Sequence, residues 1–152
     1  MRTLTTTLAA TAILAAAAST ANAETFVRMV TGPAGGSWYP LGAKIMEVLQ
    51  RDVSGIRTSS GPGGGVGNVR NVGKGNAEMG WTFGFTAYNG FNGKGKFKKS
   101  YKDLRFLATL YPGVLQTAVP AKSKITSYGD LKNKNISPGK LVFSGNVTVE
   151  KL

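Results

Sequence analysis

From Thr25 to Thr31 the chain is a run of β-branched and apolar residues that stops at Gly32-Pro33, the signature of a buried first strand. A glycine-rich turn follows. Pro40 then stands in a good first-turn position for a helix carrying Leu41, Ile45, Val48 and Leu49 on one side and running to Asp52. The same order repeats. Ile56 to Ser60 predicts a short strand, Gly61 to Gly65 a glycine loop, and Val66, Val69 and Val72 the apolar face of a short helix closed by Gly73 and Gly75. Ala77 to Phe83 supplies a third strand. Two strand-loop-helix units feeding a third strand predict a parallel α/β sheet with right-handed crossovers.

Further along, Ala87 to Phe91 predicts a brief helix, and Leu104 to Tyr111 and Leu115 to Ala121 are two strand candidates parted by Pro112-Gly113. Ser127 to Leu131 reads as one helical turn. Asn146 to Leu152 reads as the start of another helix, with Asn146 at the N-cap and Glu150 near the positive end. A helix that short is marginal alone, so the pattern reads as the front part of something larger.

Residues 1–23 stand outside this pattern. Arg2 and the amino terminus precede an apolar run, Leu8 to Ala18, that ends in Ala21-Asn22-Ala23, as a secretory signal with an A-x-A cleavage site does. The run falls short of the ~20 apolar residues of a spanning helix. A mature chain starting at Glu24 and free outside the cytoplasm, in the periplasm, is therefore expected.

Composition narrows the chemistry. The 152 residues contain no Cys and no His, so thiol nucleophiles, disulfides, finger-type zinc sites and His-based triads are impossible within this chain. Ser37 and Ser60 are the nucleophile candidates of an enzyme reading, but no Lys is recognisably placed to activate either. The expectation is a non-enzyme with no cofactor and no metal. With 19 Lys+Arg against 7 Asp+Glu the net charge is +12, which favours anionic partners and leaves the fold open.

Of 21 glycines, 17 fall between Gly32 and Gly95, clustered rather than periodic. Successive glycines let backbone N–H groups surround an anion at the positive end of the following helix. Both loops end predicted parallel strands at the carboxyl edge, where open α/β sheets bind ligands. Gly35, Gly36 and Ser37 form the first loop, with Trp38 and Tyr39 as its aromatic and hydroxyl wall. Gly64 and Gly65 belong to the second, with Asn68 able to turn toward the same crevice. Thr82 and Phe83 end the third strand beside them. The plainer alternatives are glycines serving only tight turns and Trp38 packing under the loop. Neither loop fits a nucleotide fingerprint: the third glycine of G-x-G-x-x-G falls on Val66 or on Asn68, and no Gly-Lys pair is followed by Ser or Thr.

Gly93 to Lys102 carries Lys94, Lys96, Lys98, Lys99 and Lys102. A solvated loop is the plain reading. The sharper one is a secreted basic domain that binds nucleic acid or another polyanion, with Phe97 and Tyr101 as stacking residues. No groove-reading motif accompanies it, so no specific nucleic-acid recognition is expected. Arg70 reads as a surface residue, with anion binding as the alternative.

Taken together, these pieces resemble the TAXI family, the solute-binding proteins of one class of TRAP transporter. The likeness rests on Thr31-Gly32-Pro33-Ala34-Gly35-Gly36-Ser37-Trp38-Tyr39-Pro40-Leu41-Gly42, on Ser60 to Gly65 through Asn68, on Ala77-Glu78-Met79-Gly80, on Leu104 to Pro112 and on Ser127 to Lys132, in that order. The resemblance implies a type II periplasmic-binding-protein fold with a mostly parallel sheet flanked by helices. Residues 24–139 would be lobe one, and 140–152 the crossover and start of lobe two. It further implies a monomeric receptor that closes on a small organic carboxylate, such as glutamate, glutamine or a dicarboxylate, and delivers it to a multi-spanning TRAP transporter membrane subunit. Backbone donors at Gly35, Gly36 and Ser37, the Tyr39 wall, and contacts from Gly64, Gly65 and Asn68 would hold the ligand. The chain departs from the family where Phe83-Gly84-Phe85 replaces a polar run and Gly65 a hydroxyl residue. Both changes remove polar side-chain contacts and point to a less polar carboxylate.

Overall fold

The computed structural model describes residues 24–114, 116–141 and 143. Strand β1, Thr25–Val30, lies at the centre of a three-stranded parallel sheet, between β2, Ile56–Gly61, and β3, Met79–Gly80. Its pairing with β2 is continuous from Thr25 opposite Ile56 to Val30 opposite Gly61, whereas β3 meets it only at Met29 and Val30. Helix α1, Trp38–Asp52, joins β1 to β2; α2, Gly65–Gly73, joins β2 to β3; α3, Gly84–Asn92, follows β3. The α/β architecture is the one the strand-loop-helix repeat predicted.

The side-chain period of a strand sorts β1 between two layers. Val27 and Met29 pack with Met46, Ile45 and Leu49 of α1 and with Trp81. Val30 faces the other way, because a Cβ on its neighbour Gly80 would meet Val30, Asn68 and Val72 of α2 at 3.0–3.2 Å. Helices therefore cover both faces of the sheet. This is a small α/β unit compatible with an incomplete lobe of the periplasmic-binding-protein type.

Several boundaries differ from the sequence expectation. Helix α1 begins at Trp38, two residues before Pro40, because Gly36 donates to the Pro33 carbonyl and Tyr39 to that of Gly36, winding the loop directly into the helix. Pro40 is tolerated there since first-turn N–H groups have no intrahelical partner. The third strand is shorter than Ala77 to Phe83. After Trp81 donates to the Val30 carbonyl the pairing ends, and the Thr31 and Trp81 carbonyls are both taken by the Asn68 amide.

Leu104–Tyr111 is coil, and so are the described residues of Leu115–Ala121, with Leu115 itself outside the described residues. Phe106, Leu107 and Leu110 are exposed. A strand pattern becomes a strand only against a neighbouring edge, and no described segment pairs with residues 104–114 or 116–121. The helical turn at Tyr128–Leu131 forms as predicted, held by a capping box between Ser127 and Asp130. The predicted helix at Asn146–Leu152 and the signal segment at 1–23 lie outside the described residues.

The lysine stretch is less of a free loop than its charge suggests. Phe97 and Tyr101 are buried with Val66 and Val69 of α2, ring against ring edge-on at 6.3 Å. They build the core under α2 and are not presented for stacking on bases. Arg70 is tied to this segment: it donates to the Lys96 carbonyl and lies over the Phe97 ring at 5.6 Å.

Candidate functional site

The carboxyl ends of the three strands and the amino ends of the three helices meet at one edge of the sheet. From Val30 the chain crosses to β2 through α1, and from Gly61 it returns past β1 to β3 through α2, so the sheet order reverses direction beside β1. That reversal opens a crevice in doubly wound sheets. An open cleft of about 250 Å³ occupies this edge, lined by Pro33 of the first loop, Trp38 of α1, Gly64 and Gly65 of the second loop, and Phe83 after β3. Pro138 and Phe143 close it from the far part of the chain.

Of the residues singled out from sequence, Trp38, Gly64, Gly65 and Phe83 line this cleft. Gly35, Gly36, Ser37 and Tyr39 stand beside it in the loop and first turn of α1 without lining it. Trp38 does two jobs, since it also packs edge-on against Trp81 at 5.7 Å and beside Phe83 at 5.3 Å. Thr82 turns inward and its Oγ1 donates to the Gly65 carbonyl at 3.0 Å, fixing the end of β3 to the second loop.

Asn68 has a different part from the one its position suggested. Its side chain is buried, with 1% exposure, and every one of its contacts is internal. Nδ2 donates to the Thr31 carbonyl at 2.6 Å and the Trp81 carbonyl at 2.7 Å, while Oδ1 accepts from the Gly64 N–H at 3.0 Å. One amide thus ties together the exits of β1 and β3 and the glycine loop after β2. It positions the three walls of the cleft and has no hydrogen-bonding capacity aimed at a ligand. The close approach dictates Gly63 as well, where a Cβ would fall 2.1 Å from Asn68 Oδ1.

The electrostatics of the edge come from the backbone. Helices α1, α2 and α3 each lack a side-chain cap and an acidic residue in the first turn. Their first turns therefore hold no opposing charge, the condition under which a helix start attracts an anion, although the Tyr39 and Gly64 N–H groups are already taken by the Gly36 carbonyl and Asn68 Oδ1. Among the described residues, no side chain lining the cleft is charged. The ion pairs of the described residues lie elsewhere: Arg28 with Glu78 at 2.7 Å near the start of β3, Arg57 with Glu24 at the opposite end of the sheet, Lys44 with Glu47 on the outer face of α1, and Arg51 with Asp52 at the end of that helix. Among the described residues no group of His, Cys, Asp and Glu is arranged to hold a metal.

Sequence reading missed Pro33, Trp81, Pro138 and Phe143. Trp81 was legible as part of a strand, and its place behind Trp38 follows only from the pairing of β1 with β3. Pro138 and Phe143 carry no local signal at all. Residues 29–152 match the sequence model of the NMT1-like family, a match that spans both glycine loops and the segment carrying Pro138 and Phe143.

Proposed function

The chain belongs to the NMT1-like family, a periplasmic-binding-protein type of family whose members imply a small-molecule ligand and a membrane transporter as partner, and on that premise we propose that it is the receptor of a TAXI-type TRAP transporter. It captures a small organic carboxylate in the cleft at the carboxyl edge of the sheet and hands it to a multi-spanning permease. Residues 1–23 act as a secretory leader, and the mature receptor works in the periplasm as a monomer without catalysing a reaction. The observation that carries this reading is the meeting of three helix starts without first-turn acids on one apolar cleft: their positive ends favour a carboxylate and the rings of Trp38 and Phe83 exclude water. A ligand that touches a second lobe as well stabilises the shut form by its higher affinity for that form.

The polyanion reading is weakened by the burial of Phe97 and Tyr101, the two rings it needed for stacking. Calorimetric titration of the full chain with a panel of mono- and dicarboxylic acids, at low and at physiological salt, tests the proposal. Binding of at least one acid that changes little with salt is expected, since one charge held in a cleft is poorly screened. Absence of binding to every acid, with binding to DNA or heparin that collapses as salt rises, would overturn it.

A further inference from the structure

The four aromatic rings at the cleft are arranged more specifically than water exclusion requires. Trp38 and Phe83 are adjacent walls, tilted 53° to each other with centroids 5.3 Å apart. Each is braced from behind. Trp81 meets Trp38 edge-on at 5.7 Å, and Phe85 lies parallel to Phe83, 9° between planes at 5.8 Å. Gly113 presses its backbone on the Phe83 ring so closely that a Cβ there would fall 2.0 Å from Cε1. Trp38 and Phe83 therefore present flat π faces, and Pro33, Pro138 and Phe143 complete an apolar lining.

What the cleft lacks is equally selective. Among the described residues, Glu24, Glu47, Asp52 and Glu78 are each paired with an arginine or lysine, and Asp130 caps the turn at Tyr128. Neither these nor Asp103 lines the cleft. A second charged group brought here, an amino acid's ammonium or a diacid's other carboxylate, finds no oppositely charged side chain among the described lining residues to offset its desolvation. A flat ring meets no such penalty. An enclosed cavity of about 150 Å³ holds benzene, and the open cleft, at about 250 Å³, exceeds the size of an aryl ring with a short acid tail.

From these observations we propose that the cleft selects a carboxylic acid that carries a flat aryl ring and no ammonium group over saturated dicarboxylates and amino acids. The inference rests on the carboxylate-receptor reading above and names its substrate class. The aryl face stacks against Trp38 and Phe83 while the carboxylate turns toward the first turn of α2.

The test is calorimetry on the full chain with four probes: phenylacetate, phenylacetamide, succinate and glutamate. Phenylacetate is expected to bind at least roughly tenfold tighter than the other three, the scale of one aromatic contact. Phe83→Leu and Trp38→Leu, which keep apolar bulk and remove the π face, are expected to weaken phenylacetate by roughly tenfold and to erase its lead over succinate. Should Trp38→Leu fail to fold, Phe83→Leu decides alone. Succinate or glutamate binding as tightly as phenylacetate overturns the aryl preference and leaves the receptor reading standing. Failure of every acid brings down both, and phenylacetamide equal to phenylacetate overturns the carboxylate requirement.

Discussion

Replacing Asn68 by alanine removes three hydrogen bonds from a place water cannot easily reach. The Thr31 and Trp81 carbonyls and the Gly64 N–H would each lose the partner they have at 2.6, 2.7 and 3.0 Å. A buried bond contributes ~1 kcal/mol net, and a stranded buried group costs ~1–3 kcal/mol, so the substitution is expected to cost about 3 kcal/mol or more. Against the ~5–15 kcal/mol of a whole domain that is a large share, and thermal unfolding should come roughly 10 °C earlier or more. Asn68→Asp sharpens the reasoning. It keeps the acceptor for Gly64 but places an oxygen where Nδ2 donated to two carbonyls. Burial and those carbonyl dipoles push the new carboxyl's pKa up, and an acid whose folded pKa is raised adds stability below its ordinary value of about 3.9 and loses it as pH rises. The aspartate variant should therefore melt closest to the parent in acid and fall progressively behind toward neutral pH, while the alanine variant lags by a constant amount. Melting curves followed by circular dichroism across pH check both. A melt of Asn68→Ala within about 2 °C of the parent, against the roughly 10 °C expected, would refute the three-bond strut.

Two further outcomes follow from single contacts. Gly113→Ala would set a Cβ 2.0 Å from Phe83 Cε1 and 2.9 Å from Cζ, so the ring must move; stability should fall toward the low end of ~1–3 kcal/mol, because the coil around Gly113 can give. Phenylacetate affinity should drop several-fold, and an unchanged titration would show that this contact does not set the wall. Hydrogen bonds from the Arg28 guanidinium and N–H hold the Glu78 carboxyl down to about 2 from its ordinary 4.5. A depressed carboxyl contributes stability above its unfolded value and loses it as pH falls, so the melting difference between the parent and Glu78→Gln should be steady above about pH 4.5 and close between there and about 2. A difference independent of pH would mean the pair is not formed in solution.

Membership of a solute-binding family was legible in the glycine loops, the Trp38-Tyr39-Pro40 step and the order of strand patterns, since each depends on neighbours in sequence. Asn68 marks where that legibility ends. An asparagine just past a glycine loop is equally able to face a ligand or the interior, and only the arrival of Thr31 and Trp81 beside it settles the matter. Phe97 and Tyr101 make the same point. Surrounded by lysines, they read as part of a solvated loop or, on the sharper alternative, as stacking residues, until α2 supplies Val66 and Val69 for them to pack against.

By itself the sequence determined what is local or compositional: three β-rich runs, two glycine loops opening helices, and a chain without thiol or imidazole chemistry. Tertiary structure alone decided which rings share the cleft, which amide ties its walls together, and that residues 104–111 stay coil. Periodicity records which way a side chain points from its own backbone. Burial, hydrogen-bond partnership and strand pairing belong to pairs of segments far apart in the chain, and exist only once those segments meet.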